Sequence, residues 1–509
     1  MKITKLKIDI LMIAQNFMEG IYYHMCNNKD DIVLIHHDKK ITYDELNSLS
    51  SSYMHLLKNL GVKKGDIIAV GAARSIYTIA FLLGCIRLNA IYVSLNSLYN
   101  YDPLNILESC KPKIIIKDIL DKTFEKINIS SEIILLNIQD LPTYTIQTKD
   151  FSVPSANDYC CIMYTSGTTG NPKAIAKTYK NINTMFLPLL NNKSAKKIVG
   201  QNGSLNAPLS LYQIYGTLSL GGICVIIDDD IKNDPKTLVK LCNNYKITKL
   251  NFAPNRFEEF LRYISVTGDN LPFLLEISCT GSRLDKFLMF KFNEILPNVT
   301  LINSYGTTEV GGIASFKFKG EDSSHIIYPH VSVKIIDENN KVLAQGEIGT
   351  ITVSSEAVGY YYDKHKISSC ANIMINEDFY YNTGDLGILD SNQNLKLIGR
   401  NIFEIKILGR RIQMQEIEFQ IKKHLCLTEC ALLHLQTNEE SHKFICFFGA
   451  DKILDIRDLK QQLAAHMMSE CIPDLFIQIQ HMPYLHNDKI DYQRLKQYYL
   501  EYSQELITI

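Results

Sequence analysis

Short apolar runs alternate with helical patterns over most of the first 320 residues. The apolar runs have the length and content of buried strands and lie at 66–73, 113–117, 132–137, 222–228, 249–254 and 274–281. Residues 43–61 and 76–90 instead carry apolar side chains at the three-to-four spacing of a helix. Strands that alternate with helices predict a parallel sheet with helices on both of its faces.

The pattern changes after about residue 320. Short strands of alternating polarity, joined by Gly, Asn and Asp turns, follow at 325–337, 349–355 and 386–399, and they predict an antiparallel sheet or small barrel. Roughly 110 further residues mix strand with helix and are numerous enough for a separate domain. The predicted fold class is α/β. A large N-terminal domain of parallel α/β subdomains plus a small β-barrel covers 1–400, and a small α+β C-terminal domain covers 401–509.

Composition and charge narrow the class of protein. The 509 residues include 53 Lys and Arg against 54 Asp and Glu, a net charge of −1, so nucleic acid is not an expected partner. With 46% hydrophobic and 21% charged residues, the chain predicts a packed globular protein of roughly three or four folding units. We expect no membrane span and no targeting signal, and the scattered cysteines favour a reducing, cytoplasmic location.

A glycine- and hydroxyl-rich segment follows the apolar run 160–164. Its sequence over 165–173 is T-S-G-T-T-G-N-P-K, which packs poorly but suits a phosphate cradle. Glycines let backbone N–H groups approach phosphate oxygens, hydroxyls add donors, and the lysine adds a charge. It is not a Walker loop, because the ending lacks G-K-[ST]. In isolation, such a segment could also be an ordinary polar turn.

The string Y-T-S-G-T-T-G-x-P-K over 164–173 resembles the phosphate loop of the adenylate-forming superfamily, which includes acyl-CoA synthetases, peptide-synthetase adenylation domains and luciferase. Further segments resemble the motifs of this superfamily in its order, at 303–309, 381–385, 399–400, 409–418 and 483–491. The resemblance extends over about residues 41–491 and is greatest to a stand-alone adenylation enzyme of the peptide-synthetase type.

The resemblance implies ATP and Mg²⁺ as cofactors and assigns a role to each motif residue. Tyr305 would stack on adenine, Thr308 would contact the α-phosphate, Glu309 would hold Mg²⁺, and Asp385 would bind the ribose hydroxyls. The implied catalytic residues are Lys489, Thr308 and Glu309, where Lys489 bridges the substrate carboxylate and the α-phosphate. The implied ATP-binding residues are Thr165, Ser166, Gly167, Thr168, Thr169, Gly170, Lys173, Tyr305, Asp385 and Arg400.

The same resemblance implies a mobile C-terminal domain. After adenylation this domain would rotate at a hinge near 401–402, withdraw Lys489, and bring the Gly409 loop in for the thioester step. The chain departs from the superfamily at two positions. Ile402 replaces the usual hinge Asp or Lys, and Asp488 replaces the usual Gly before Lys489.

The substrate segment 205–210 lacks the aspartate with which relatives bind an α-amino group. Depending on the alignment, that position holds Pro208 or Asn206. A buried ammonium without a counter-charge is costly, so the pattern argues against a standard α-amino acid and resembles that of aryl-acid relatives. Asn206 could bond a substrate hydroxyl or carbonyl, or could simply satisfy loop backbone. The implied acyl pocket comprises Asn206, Ala207, Ser278, Thr280, Ser304, Gly312 and Ile313.

Two features favour a carrier protein over coenzyme A as the acceptor. Gln415 stands where many CoA ligases have proline, and Ile490-Asp491 resembles the peptide-synthetase ending. No phosphopantetheine-attachment string is present, so we expect transfer of a small carboxylic acid from acyl-AMP to a separate carrier. One alternative is an acyl-CoA ligase. Another, motivated by Ile402 and Asp488, is a nucleotide-binding protein without catalysis.

Overall fold

The computed structural model describes residues 16–507 apart from a set of excluded positions. The excluded positions are 96–102, 119–132, 142–151, 166–172, 191–196, 283, 285, 319–323, 365, 401–403, 408–409, 426, 428, 439–440, 450–455, 465, 468–470 and 485–489.

Most of the described strands are short, and their lengths run from 2 to 12 residues. In chain order they are β1 Ile32–His36, β2 Lys39–Thr42, β3 Ile67–Val70, β4 Ile91–Ser94, β5 Ile114–Lys117, β6 Ile134–Asn137, β7 Tyr159–Thr165, β8 Lys173–Thr178, β9 Ile198–Gln201, β10 Ile223–Ile226, β11 Lys249–Phe252, β12 Glu276–Thr280, β13 Thr300–Thr307, β14 Gly311–Lys317, β15 Ile326–Ile327, β16 Ser332–Ile336, β17 Gly349–Ser354, β18 Tyr360–Asp363, β19 Lys366–Ser369, β20 Ile373–Ile375, β21 Asp378–Leu389, β22 Leu395–Arg400, β23 Glu404–Ile407, β24 Arg410–Gln413, β25 Glu429–Asn438, β26 Ser441–Gly449 and β27 Leu475–Gln478.

The helices separate many of these strands along the chain. They are α1 Phe17–Asn27, α2 Tyr43–Asn59, α3 Ile76–Arg87, α4 Pro103–Cys110, α5 Tyr179–Leu190, α6 Pro208–Leu211, α7 Thr217–Ser219, α8 Asp229–Lys232, α9 Pro235–Asn244, α10 Pro254–Thr267, α11 Lys286–Ile295, α12 Met414–Leu425, α13 Ile456–Ala464 and α14 Tyr492–Ile507, with a 3₁₀ turn at Ile138–Asp140 and a π turn at Tyr212–Gly216.

Two large mixed sheets dominate the first 370 residues. One has nine strands in the order β15-β14-β13-β12-β11-β9-β10-β1-β2, and the other has eight in the order β19-β18-β8-β7-β4-β3-β5-β6. Their centres are parallel, while hairpin partners such as β2, β8 and β14 pair antiparallel. The predicted α/β class is confirmed, and the predicted helices over 43–61 and 76–90 correspond to α2 and α3.

The strands of the sheet centres are buried along their whole length. Residues 67–70, 91–94 and 114–117 are buried at every position, and all of them except Ser94 and Lys117 are hydrophobic, as expected for strands covered on both faces. In β12 the side chains alternate: Ile277 and Cys279 enter a large apolar cluster, so Ser278 and Thr280 lie on the opposite face. The hydroxyl groups of Ser278 and Thr280 therefore lie on the face of β12 that does not pack into this apolar cluster.

Contacts divide the chain into two compact units. The first comprises Met1–Val333 with Thr352–Asn382, and the second comprises Lys334–Ile351 with Thr383–Ile509. The second contains the sheet β25-β26-β27, in which successive β26 residues enter opposite apolar clusters. The strands β16, β17, β21, β20 and β22 form the expected small sheet before residue 400. The predicted boundary at residues 400 and 401 stays a prediction.

Within the described part of the chain, none of the helices combines the length and the apolar character needed to span a membrane.

The start of α2 is fixed by a capping box. The Thr42 hydroxyl accepts a hydrogen bond from the Glu45 N–H at 3.3 Å, and the Glu45 carboxylate accepts one from the Thr42 N–H at 2.7 Å. Both donors belong to the first turn of a helix, where no intrahelical acceptor exists.

We expect Thr42→Ala to lower the free energy of unfolding by about 1 kcal/mol, because it removes one acceptor for the first turn of α2. Urea denaturation followed by circular dichroism measures the change. Thr42→Ser keeps the hydroxyl and should retain most of the stability. Equal losses in the two variants would contradict this role of the cap.

Candidate functional site

The predicted phosphate loop joins two antiparallel strands. Thr165, the last residue of β7, pairs in register with Lys173, the first residue of β8. The loop residues Ser166, Gly167, Thr168, Thr169 and Gly170 lie outside the described residues. The Lys173 ammonium lies 5.9 Å from the centre of the Tyr361 ring. The hairpin therefore places a hydroxyl and a cation at the two ends of the loop.

The backbone of Glu309 is held from two directions. Its carbonyl oxygen accepts a hydrogen bond from the Gly359 N–H at 2.8 Å and one from the Lys177 ammonium at 2.6 Å. A Cβ at Gly359 would lie 2.8 Å from the Ala176 carbonyl oxygen, so this approach of the chain requires glycine. Glu309 lies in the turn between β13 and β14, one residue after Thr308. The position of the predicted Mg²⁺ ligand is thus set by residues remote in sequence.

Two phenols lie close to the Glu309 side chain. Burial, together with the charge of Glu309 and a hydrogen bond to it, raises the pKa of Tyr381 well above its usual range. Burial and the nearby Cys370 and Glu309 groups raise the pKa of Tyr361 to about 12. Both phenols therefore stay protonated near neutral pH, and the Tyr381 hydroxyl can donate to the carboxylate. Tyr381 begins the segment that resembles the ribose motif, and it belongs to the same compact unit as Glu309, so the structure brings these two residues together.

Lys177 was not singled out from the sequence. Its side chain is fully buried, and its ammonium donates to the Glu309 and Ala357 carbonyl oxygens at 2.6 and 2.9 Å. Burial lowers the pKa of Lys177 from its ordinary 10.5 to about 8, although nearby Cys370 and Glu309 oppose the shift. The available signal was a lysine inside the otherwise apolar segment 174–177 of a strand.

The predicted acyl-pocket hydroxyls meet at the carboxyl ends of β12 and β13. Thr280 pairs in register with Ser304, and the Ser278 and Ser304 hydroxyl oxygens are 3.3 Å apart. Gly312 lies in β14, which pairs with β13, the strand that contains Ser304. The next residue, Ile313, is fully buried. The structure thus brings most of the predicted pocket residues onto three adjacent strands.

Two tyrosines absent from the predicted set lie over Gly312. The Gly312 N–H donates to the Tyr212 hydroxyl at 3.4 Å, and a Cβ at Gly312 would lie 2.9 Å from the Tyr328 ring. Burial raises the pKa of Tyr328, whose hydroxyl is also hydrogen-bonded to Ser304 and Ser315. Neither tyrosine lies in a segment that resembles a motif of the superfamily, so the sequence alone does not place them beside the pocket.

Asn206 is committed to the backbone of β7. Its side-chain oxygen accepts from the Tyr164 N–H and its amide nitrogen donates to the Tyr164 carbonyl, both at 2.9 Å. In the described residues, β4 pairs with β7 at Cys161 and Ile162, and the Asn206 side chain bonds to both backbone groups of Tyr164 two positions further on. Of the two uses left open for Asn206, these contacts correspond to the satisfaction of backbone. Its neighbour Ala207 is half-buried.

The ribose motif belongs to the second compact unit from Thr383 onward. Asp385 in β21 pairs in register with Arg400 in β22, which aligns the motif with the predicted Gly-Arg pair. The Thr383 hydroxyl donates to the Ile351 carbonyl at 2.9 Å and accepts from the Asp385 N–H at 3.1 Å. Gly384 has a φ of +70°, which favours glycine between them. The Arg400 side chain lies outside the described residues.

Gly409, Lys489, Ile402 and Asp488 lie outside the described residues. Gly409 comes between the paired strands β23 and β24, and Lys489 comes between Tyr484 and Ile490, which form an isolated bridge. Their roles stay predictions.

The profile of a family described as "AMP-binding enzyme" matches residues 23–362. The chain belongs to the AMP-binding enzyme family. Membership confirms the expected superfamily and the prediction of an enzyme of the adenylate-forming ligase class.

Among curated relatives, this AMP-binding enzyme is 28% identical over 494 residues to bacitracin synthase 1 of Bacillus licheniformis, covering 92% of this chain and 9% of that protein. It is 24% identical over 482 residues to zwittermicin A synthase ZmaJ of Bacillus cereus, covering 91% of each. The chain thus spans a small part of the first relative and most of the second.

Solved structures share the fold. Klebsiella oxytoca NpsA, solved with 3-hydroxyanthranilyl-AMSN, matches with a TM-score of 0.76 at 22% identity, over 96% of this chain and 99% of that one. The o-succinylbenzoate CoA synthetase of Bacillus subtilis, solved with the acyl-adenylate OSB-AMP, matches with a TM-score of 0.81 at 20% identity, over 95% and 98%. At these identities the matches establish the fold.

The depressed pKa of Lys177 predicts a pH-dependent stability. Between about pH 8 and 10.5 the unfolded enzyme binds a proton that the folded enzyme has lost, so stability gained from Lys177 rises with pH. We expect the difference in the free energy of unfolding, wild type minus Lys177→Met, to increase over this range by up to about 3 kcal/mol. Urea denaturation at several pH values measures it.

Lys180→Met is the matched control for this experiment. Lys180 is about half exposed and pairs with Glu356 at 2.7 Å. Its replacement should shift stability by a similar amount at every pH in the range. If the curves for Lys177→Met and wild type ran parallel, the buried lysine would not titrate as described.

Proposed function

We propose that the enzyme activates a carboxylic acid with ATP as an acyl-adenylate and transfers the acyl group to a phosphopantetheine thiol of a separate carrier protein. The observation that carries the proposal is the convergence on Glu309 of three remote segments, through Lys177, Gly359 and Tyr381. Such convergence fixes one carboxylate beside the hairpin that bears Lys173.

The residues present fit a nucleotide with a divalent cation. Glu309 offers a hard carboxylate oxygen, the donor that Mg²⁺ prefers, and Tyr381 orients it by a hydrogen bond. Mg²⁺, when bound, neutralises charge on the phosphates. Lys173 and the Thr165 hydroxyl would contact phosphate oxygens, Thr308 the α-phosphate, Tyr305 the adenine and Asp385 the ribose. The structure of o-succinylbenzoate CoA synthetase with an acyl-adenylate supports this class of ligand.

The contacts around the acyl pocket support a substrate without an α-ammonium group. Asn206 carries no charge and its amide is committed to Tyr164, while the other polar groups named above for this pocket are the hydroxyls of Ser278, Thr280 and Ser304 and two phenols. A buried ammonium among these groups would lack a counter-charge. The rings of Tyr212 and Tyr328 offer faces and edges for an aromatic acid, and their hydroxyls offer polar contacts. NpsA, solved with a 3-hydroxyanthranilyl ligand, is a neighbour whose ligand has this chemistry.

A carrier protein is the proposed acceptor because of sequence features. Gln415 and the Ile490-Asp491 ending resemble the peptide-synthetase pattern, and the two relatives reported above are named as synthases, of bacitracin and of zwittermicin A. The second candidate is coenzyme A, favoured by the fold likeness to a CoA synthetase. Incubation of the enzyme, ATP and an accepted acid with either coenzyme A or a pantetheinylated carrier separates the two by mass spectrometry of the thioester.

Pyrophosphate release, measured across aryl, fatty, β-amino and α-amino acids, tests the substrate class. We expect turnover with aryl acids and little with α-amino acids. Preference for an α-amino acid would overturn the substrate proposal, whereas no turnover with any acid together with ATP binding would favour the inactive nucleotide-binding protein.

Lys489→Ala should abolish acid-dependent pyrophosphate exchange, a loss of at least about a hundredfold, because the ammonium stabilises charge that builds in the adenylation transition state. Thioester formation from preformed acyl-AMP should persist. Lys496→Ala is the control, since Lys496 is an exposed lysine on α14. Unchanged exchange in Lys489→Ala would contradict the assignment.

Lys177→Met should raise the Mg²⁺ concentration needed for half-maximal exchange by about tenfold, because it frees the backbone of Glu309 from one of its two donors. Lys177 is a positioning residue, so the Michaelis constant for the acid should change little. Lys177→Arg, which keeps a buried donor, should recover part of the Mg²⁺ response. A uniform loss of activity with unchanged Mg²⁺ dependence would assign Lys177 to stability instead.

A further inference from the structure

Two histidines and an aspartate meet at the tip of the β1–β2 hairpin. His36 is the last residue of β1, His37 is the first residue of the two-residue turn, and Asp228 comes two residues after the end of β10. Because β1 and β10 are parallel neighbours, with Ile35 opposite Val225, their carboxyl ends reach the same edge of the sheet. The topology therefore delivers all three side chains to one place.

The turn conformation directs both imidazoles to the same carboxylate. Successive side chains of a strand point to opposite faces, but His37 has a φ of +50°, which reverses the chain. His36 Nε2 lies 3.0 Å from one Asp228 oxygen, and His37 Nε2 lies 3.0 Å from the other. The ring centres are 4.2 Å apart, and the three ligand atoms lie within 4.8 Å of one another.

We propose that His36, His37 and Asp228 bind a divalent transition-metal ion of the Zn²⁺ class, at a site separate from that of the nucleotide. Bonds of about 2.0–2.2 Å to such an ion leave neighbouring ligand atoms roughly 3 to 3.5 Å apart, close to the 3.0 Å between each imidazole and the carboxylate. Two imidazoles with one carboxylate select Zn²⁺, Co²⁺ or Ni²⁺ over Mg²⁺, which prefers oxygen ligands.

The surroundings allow an ion to enter and be held. The side chains of His36, His37 and Asp228 are 17%, 61% and 28% exposed, so one side of the cluster is open to solvent for entry and for water ligands. Arg74, a buried cation whose charge acts on Asp228, donates to Asp229 at 2.8 Å and to the Gly203 carbonyl at 3.3 Å. The charge of Arg74 is thus partly balanced by Asp229. An ion bound to His36, His37 and Asp228 would link the tip of the β1–β2 hairpin to the segment that follows β10.

The proposal is tested by the absorption spectrum of bound Co²⁺ and by calorimetry of Zn²⁺ binding. The parent protein for these measurements carries Cys26→Ser and Cys426→Ser, so that these thiols do not bind the ion, and excess Mg²⁺ is present to occupy the nucleotide site. Cys26 is an exposed thiol and Cys426 lies outside the described residues, whereas the other free cysteines are buried. The parent should bind one equivalent of Co²⁺ or Zn²⁺, with a rise in melting temperature. His37→Gln and Asp228→Asn should weaken binding by at least about tenfold and lose the thermal effect.

Two control variants locate the ion. His481→Gln removes an exposed histidine elsewhere, and Glu309→Gln removes the predicted Mg²⁺ ligand, so both should retain Co²⁺ binding at this site. The proposal is overturned if the parent binds no stoichiometric ion, if His37→Gln binds as tightly as the parent, or if binding is lost in Glu309→Gln. Should Asp228→Asn fail to fold, His37→Gln alone carries the test, since the His37 ring is mostly exposed.

Discussion

The hydrogen bond from the buried Lys177 ammonium to the Glu309 carbonyl is the constraint on which the candidate site depends. A buried cation without an anionic partner is costly unless its protons are hydrogen-bonded, and here two carbonyl oxygens at 2.6 and 2.9 Å accept them. The acceptors lie 132 and 180 positions further along the chain, so one side chain ties three segments together. The short strand β8 carries Lys173 at its first position and Lys177 near its last, and it thereby relates the phosphate loop to Glu309.

Strand β7, the neighbour of β8, fixes the position of the substrate segment 205–210. Asn206 bonds to the backbone of β7 at Tyr164, one residue before Thr165, by a donor and an acceptor bond of equal length. The segment expected to contact the acid is therefore attached to the strand that enters the phosphate loop. A side-chain amide suits this use because it offers one donor and one acceptor in the spacing of a peptide group, whereas a carboxylate would face the Tyr164 carbonyl with a second acceptor.

Local patterns predicted the elements and the family, and long-range contacts account for what they missed. Continuous apolar runs identified strands such as β5 and β10, since a buried parallel strand is rich in β-branched side chains. Motif strings identified Glu309 and Lys173 because consecutive residues carry those signals. Lys177, Tyr212 and Tyr328 carry no such string, because their partners are separated from them by more than ten positions and are chosen by packing. For the same reason the sequence allows two roles for Asn206, a bond to the substrate or a bond to the backbone. Its hydrogen bonds to Tyr164 correspond to the second role.

The charge arrangement around Glu309 explains how one carboxylate can remain available while it is held so firmly. Lys177 donates to the carbonyl oxygen of Glu309, so its hydrogen bond fixes the backbone without occupying a carboxylate oxygen. Tyr381 is the group that touches the carboxylate, and it is a neutral donor whose raised pKa keeps its proton. A lysine bonded to the carboxylate itself would have cancelled the charge that a cation requires. The Lys177 ammonium, bonded to the carbonyl oxygen, therefore fixes the position of Glu309, and the Tyr381 phenol orients its carboxylate. The negative charge of that carboxylate stays available to a bound cation.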